Sequence, residues 1–239
     1  MHADRLARLR ASLAASHLDA LLVSALPNVR YLTGFSGSNG LVLVTADDAV
    51  LLTDFRYATQ VKTEVAAAVR VAIEPTTLWG RLWMELKGLP KVEVIAFESA
   101  HVTHQDSARL VGEGADGAGW RWRPALNLVE ILRESKDAGE IAHIREAVRI
   151  AEHALGRTLP QVRVGMTELD VAGILEHELR SAGSEGFPFE TIIAAGARSA
   201  LPHARATKAV ISAGDLLLFD FGAVSGGYCS DITRTCVVG

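Results

Sequence analysis

The sequence predicts an α/β layer domain over the first half of the chain, followed by a second region of long helices and a β-hairpin. Three observations carry that expectation. Helix and strand signals alternate through residues 1–125, a helical apolar period takes over after Ser135, and the stretch from Gly214 to Gly239 reads as two strands about a glycine turn.

In chain order, Leu6, Leu9 and Leu13 mark an amphipathic helix, and Asp19-Ala-Leu-Leu-Val reads as a strand. A Gly/Ser loop spans Gly34 to Gly40, and the runs 41–45 and 49–53 flank Ala46-Asp47-Asp48 as a hairpin. Helices are expected at 57–65 and 78–86, with a strand at 92–97 between them and the next loop. The Gly/Ala/Asp stretch from Gly112 to Gly119 signals that loop, which precedes a last strand. Arg123-Pro-Ala-Leu-Asn leads into a helix, so the expected division is an N-terminal domain at 1–125, a linker at 126–136 and a second domain at 137–239. Asp137 and Glu140 form a capping-box pattern at the start of a helix whose apolar stripe is Ile141, Ile144, Val148, Ala151 and Leu155. Thr167 begins another helix that ends near Gly183.

Composition narrows the function classes. A chain of 239 residues with 49% hydrophobic and 22% charged residues is ordinary globular material. A net charge of −4 with no long basic run argues against nucleic acid, because phosphate binding needs clustered Lys and Arg. The arginines between Arg5 and Arg10 fall at helical spacing and read as a solvated face. No apolar run reaches membrane-spanning length and no signal-peptide core opens the chain, so a soluble, cytoplasmic protein is expected. Cys229 and Cys236 stand seven positions apart on one expected strand, on opposite faces, which disfavours a disulfide; Cys229 reads as a small buried hydrophobe.

The hairpin concentrates the chemistry. Leu216 to Phe219 is an apolar run closed by Asp220, Asp231 opens a strand rich in Thr, Ile and Val, and Ser225-Gly226-Gly227 lies between them as the turn. With Ser225 and Gly226 as a two-residue loop, Asp220 and Asp231 stand directly opposite, with Cβ atoms roughly 4.5–5.5 Å apart on one face. Two carboxylates so placed need a shared proton, a cation or metal, and paired hydrolytic metals about 3.5–4 Å apart suit that spacing. The alternative is a polar hairpin with two surface aspartates. Thr233 shares the parity of Asp231 and can orient a metal-binding carboxylate, whereas Tyr228 and Arg234 have the opposite parity and read as packing or ion-pair residues. His101 with His104, and Glu176-His177-Glu178, read as solvated helix faces. The loop TGFSGSNG departs from GxGxxG and reads as structural, and Asp54 in TDFRY reads as a cap.

DFGAVSGGYCSDITRT resembles the metal-binding hairpin of the pita-bread metallopeptidases, the family of Xaa-Pro aminopeptidases, prolidases, methionine aminopeptidases and creatinases. SALPHARATKAVISAGDLLLFD is similar to the family segment that carries a histidine near the scissile bond. ILRESKDAGEIAHIREAVRIAEHAL resembles the first catalytic-domain helix of the proline-specific branch, and NVRYLTGFSGSNG and LLTDFRYATQ resemble its N-terminal domain. The fold class so implied is an α/β creatinase-like N-terminal domain plus the first part of an α+β pita-bread catalytic domain.

The resemblance implies hydrolysis of the bond between an N-terminal residue and proline, with Asp220 and Asp231 as metal ligands and His203 as the catalytic residue that hydrogen-bonds the substrate. It implies two divalent metal ions; oxygen-rich ligation suits manganese, with cobalt or zinc as alternatives. A homodimer is expected, and the N-terminal domain, including TDFRY, is expected in a structural or interface role. The family's remaining ligands, one His and two Glu, would follow Gly239, so residues 1–239 alone are expected to be inactive. A truncated product, an expressed fragment and a second chain carrying the missing strands are the open explanations. The alternative functions are Xaa-Pro dipeptidase, a non-catalytic dimerisation module and, more weakly, creatinase-type chemistry.

Overall fold

Strands Ala20–Val23 (β1), Gly40–Thr45 (β2) and Ala49–Asp54 (β3) are apolar on both faces and buried almost throughout, which demands cover on both sides of their sheet. The computed structural model, which describes residues 1–112 and 119–239, provides that cover. Contacts divide the chain into two units, Met1–Ser135 and Lys136–Gly239.

In the first unit, Arg70–Glu74 (β4), Val94–Glu98 (β5) and Arg121–Ala125 (β6) complete a six-stranded sheet of order β4-β3-β2-β1-β5-β6. Only β2 runs against the others, because the hairpin pairing of Thr45 with Asp48 turns it back. His2–Ala15 (α1), Leu26–Thr33 (α2) and Glu130–Glu134 (α6) supply Leu6, Leu9, Leu13, Val29, Leu32 and Leu132 to one face. Leu78–Lys87 (α4) and His104–Gly112 (α5) cover the other with Leu82, Leu86 and Leu110; between these groups lies the short α3, Val61–Glu64. The four tryptophans gather on this second side: Trp83 lies 6.4 Å from Trp79, stacks on Trp120 at 6.0 Å and meets Trp122 edge-on at 6.0 Å.

The ends of β1 and β5 are tied by a buried carboxylate. Glu98 accepts bonds from the Ser24 and Ala25 backbone N–H groups (2.6 and 2.7 Å) and from the Asn28 amide (2.7 Å), which also donates to Glu130 (2.6 Å). These bonds set the entry angle of α2, whose end is made by Gly34 at φ +86°. In the TGFSGSNG loop that follows, Asn39 donates to Asp54, and the Asp54 side chain accepts from Arg56 N–H, capping a 3-10 turn at Phe55–Tyr57 as expected.

The second unit packs Ala138–Thr158 (α7) and Glu168–Ser181 (α8) on a three-stranded antiparallel sheet of Ile192–Ala195 (β7), Leu216–Phe221 (β8) and Ile232–Val237 (β11), ordered β11-β8-β7. Both helices open with complete capping boxes, Asp137 with Glu140 and Thr167 with Asp170. Its core is Ile150, Ala151, Ala154, Leu175, Leu179, Ile193, Leu217, Phe219 and Phe221.

Several expectations need correction. The buried stripe of α7 is Ala147, Ile150, Ala151, Ala154 and Thr158, while Ile141 is exposed, because small alanines rather than the larger aliphatics let the helix approach its neighbours. The helix expected after Arg123-Pro-Ala-Leu-Asn is α6, whose Leu132 is buried and accepts at its carbonyl from the Tyr31 hydroxyl. The loop read between Gly112 and Gly119 lies largely outside the described residues. Strand β4 and helix α2 are additions, and of the two histidines read on a helix only His104 lies on α5.

Replacing Glu98 by Ala removes the acceptor of the half-buried Ser24 N–H and of the buried Ala25 N–H and Asn28 amide at once, each buried donor costing about 1–3 kcal/mol when left unsatisfied. Glu98→Ala should therefore lower the stability of the first unit by about 3 kcal/mol, read by urea denaturation followed by far-ultraviolet circular dichroism.

Candidate metal centre

Strand β8 alternates cleanly: Leu217, Phe219 and Phe221 point into the core, and Asp220 lies half-buried on the opposite face. The hairpin continues past an interruption at Gly222-Ala223 and Ser230-Asp231 into the two-residue strands Val224–Ser225 (β9) and Tyr228–Cys229 (β10). Gly222 is required there, because a Cβ would come within 2.0 Å of the Ser230 carbonyl oxygen and 2.6 Å of Pro188 Cγ.

The turn corrects the expected register. Ser225 pairs with Tyr228, so the loop is Gly226-Gly227, with φ of +56° and +74°, rather than Ser225-Gly226. Both angles belong to a type I′ turn, which matches the strand twist. Across the sheet Asp220 consequently pairs with Thr233, and Asp231 sits two residues earlier in the chain. The shift is by two residues. Asp231 lies at the interruption just before β11, outside the paired residues, and no longer stands directly opposite Asp220. Thr233, facing Asp220, donates its hydroxyl to Asp220 Oδ1 at 3.0 Å.

Residues remote in sequence hold this turn. Glu185 accepts from the Gly226 and Gly227 N–H groups at 2.6 and 3.1 Å, and a Cβ on Gly226 would strike the His143 ring at 2.3 Å. Tyr228 stacks on His143 (centroids 5.7 Å apart) and donates its hydroxyl to Glu140 at 2.8 Å; buried Ser230 donates to the Ala147 carbonyl at 3.1 Å. Helix α7 therefore backs the hairpin along its length. Cys229, expected to be buried, is exposed, and Cys236 is half-buried; both are free thiols.

His203 lies exposed between β7 and β8, its N–H bonded to the Leu201 carbonyl at 3.2 Å. The flanks of that segment meet buried Glu168, which accepts from Ala195 N–H (2.9 Å), Arg198 Nε (3.0 Å) and Thr207 N–H (2.9 Å). Burial pushes the Glu168 carboxyl up, but the bonds from Ala195, Thr207 and Arg198 outweigh it and hold the group below its ordinary 4.5. Sequence reading missed Glu168, Glu185 and His143; an acid just after Thr167 reads as a dipole partner in the first helical turn, and only the fold reveals its burial.

The other histidines do not assemble a site. His101 precedes α5 and meets Glu130 at 3.2 Å, and His177 lies 3.5 Å from Ser181. Among the described residues, no group of three or more His, Cys, Asp or Glu side chains converges as a metal site. Asp220 and Asp231 are hard oxygen donors suited to a divalent ion, yet two carboxylates fall short of the four to six donors such ions take.

The Creatinase/Prolidase N-terminal domain matches over residues 5–135, and Metallopeptidase family M24 over residues 142–239. The chain is 34% identical to the Uncharacterized peptidase YqhT of Bacillus subtilis (strain 168), covering 98% of this chain and 65% of that protein. The solved Xaa-Pro dipeptidase from Bacillus anthracis superposes with TM-score 0.93 at 34% identity, over 100% of this chain and 66% of that one. The X-Pro aminopeptidase from Thermotoga maritima MSB8 does so with TM-score 0.85 at 35% identity, over 98% and 65%. The chain thus spans slightly less than two thirds of these relatives.

Gly222→Ala should cost about 2 kcal/mol or more through overpacking against Ser230 and Pro188, whereas Gly186→Ala, whose nearest neighbour would be 3.9 Å away, should be tolerated; thermal unfolding separates them. Because the folded pKa of Glu168 is depressed, its contribution is complete above about 4.5 and is lost as pH falls through the lower folded value. Acid unfolding of Glu168→Gln should accordingly be less steep below that pH than that of the unsubstituted protein.

Proposed function

We propose, on the premise that this chain belongs to metallopeptidase family M24 and carries a creatinase/prolidase N-terminal domain, that it serves metal-dependent hydrolysis of the bond between an N-terminal residue and proline. The observation that carries the reading is Asp220 bonded by Thr233, with Asp231 two residues before Thr233, inside the segment matched by the peptidase family.

In this reading Asp220 and Asp231 each give carboxylate oxygens to a pair of divalent ions, and the Thr233 hydroxyl fixes the rotamer of Asp220. When bound, such a pair lowers the pKa of water and stabilises negative charge on the scissile carbonyl oxygen. His203 donates a hydrogen bond to the substrate beside the peptide bond being cut, which either protonation state of imidazole allows through a ring N–H. The all-oxygen donors found here favour manganese, with cobalt or zinc as the alternatives. Two unpaired thiols fit a reducing, cytoplasmic setting, and no described helix is long and apolar enough to cross a membrane. We take the assembly to be a homodimer.

Two carboxylates make a weak site, so residues 1–239 alone should bind manganese weakly and turn over no Xaa-Pro peptide. Relatives named as Xaa-Pro dipeptidase and X-Pro aminopeptidase both match, and the competing dipeptidase reading is separated by comparing Xaa-Pro dipeptides with longer peptides. Manganese titration by calorimetry should give weak binding, abolished by Asp220→Ala or Asp231→Ala. Unchanged binding in both variants would remove the hairpin from the metal site. Peptide turnover by the purified chain that either substitution abolishes would show that these two ligands suffice.

A further inference from the structure

His203 stands on a segment outside the sheet, tied beyond it by an isolated antiparallel bridge between Val210 and Thr167. Between β7 and β8 the chain makes one 3-10 turn at Gly196–Ala200, passes His203 and returns along the start of α8. There the Glu168 and Leu169 N–H groups donate to the Ala209 and Thr207 carbonyls (3.0 Å each).

Two closures shape this segment. Glu168, with 0% of its surface exposed, is reached from one flank by Ala195 N–H and Arg198 Nε, and from the other by the N–H and hydroxyl of Thr207 at 2.9 and 2.8 Å. Arg198 then crosses the loop, its Nη2 donating to the Arg205 carbonyl at 2.8 Å. His203 lies within this inner closure, next to Ala204, which is buried at 5% exposure. A guanidinium can make both contacts because its donors diverge from one rigid plane, a reach the single ammonium of lysine lacks. A buried carboxylate is tolerated only with its full set of donors, and the donors found here come from the loop that bears the histidine. Loop conformation and burial of the charge are therefore coupled.

We infer that Glu168 and Arg198 are positioning residues for His203: Glu168 pins the two flanks of its loop together, and Arg198 sets the span across which the imidazole is presented. The inference rests on the reading of His203 as the substrate-contacting residue. It deepens that reading by naming the pair on which its placement depends.

The test is nuclear magnetic resonance of the 239-residue chain with labelled histidine, the His203 ring signal being assigned by its loss in His203→Gln. Amide exchange at Ala195 and Thr207 is followed in parallel. In Glu168→Gln those two amides should exchange about tenfold faster or more, and the His203 signal should move toward that of free histidine, while β8 and β11 amides keep their protection. Arg198→Lys should move the His203 signal while Thr207 keeps its protection, because the bond to the Arg205 carbonyl is lost whereas Ala195 and Thr207 still donate to Glu168. A His203 signal unchanged in Arg198→Lys would overturn the inference even if Glu168→Gln fails to fold. So would faster exchange in Glu168→Gln with an unmoved His203 signal, which is the mark of a purely structural carboxylate. Titration with Gly-Pro tests the underlying reading separately: a His203 signal indifferent to Gly-Pro removes the histidine from substrate contact and leaves the positioning result standing.

Discussion

The register of the hairpin between β8 and β11 is the constraint on which the arrangement of the second unit depends. Side chains alternate across a sheet with a period of two, so a slip of one residue would turn Ile232 out of the core and carry Thr233 away from Asp220. Strand pairing alone discriminates weakly between neighbouring registers. Here the choice is made at Gly226-Gly227, where two positive φ angles, the Glu185 carboxylate and the His143 ring all select the same turn. Further along, Gly222 admits the Ser230 carbonyl at the interruption and Ser230 ties that point to α7.

The legible and illegible parts of the fold divide along a physical line. Features set by local chemistry could be read directly: the α1 stripe of Leu6, Leu9 and Leu13, the hairpin around Asp47 and the capping box of Asp137. Features set by distant partners could not. Ser225-Gly226 and Gly226-Gly227 are both acceptable turns, and the deciding contacts come from Glu185 and His143, each far away in sequence. The rotation of the α7 stripe toward its alanines has the same origin, because close packing against another element is invisible in a single helix's periodicity. Cys229 was misplaced because β10 is a two-residue strand outside the main sheet rather than part of one long buried strand.

Three buried glutamates show one recurring solution. Glu98, Glu140 and Glu168 are at most 6% exposed, and each gathers donors from segments that meet at an element's end. Glu98 receives the start of α2, Glu140 joins the Asp137 N–H to the Tyr228 hydroxyl, and Glu168 receives both ends of the His203 segment. A carboxylate is suited to this because its two oxygens accept several bonds, and because its charge makes a partly filled set of donors unfavourable. Each therefore acts as a cooperative junction. The helix starts and loops around it form together or not at all.

The aromatic patch of the first unit has an optical consequence. All four indoles of the chain lie in Met1–Ser135 within one chain of contacts, and of the three tyrosines only Tyr228 falls in Lys136–Gly239. Rings about 6 Å apart exchange excitation readily, so emission from this protein is that of a single local lamp fixed to the six-stranded sheet. Indole fluorescence will therefore follow the melting of that sheet, so the unfolding of Met1–Ser135 carries an optical label that the residues of Lys136–Gly239 do not supply.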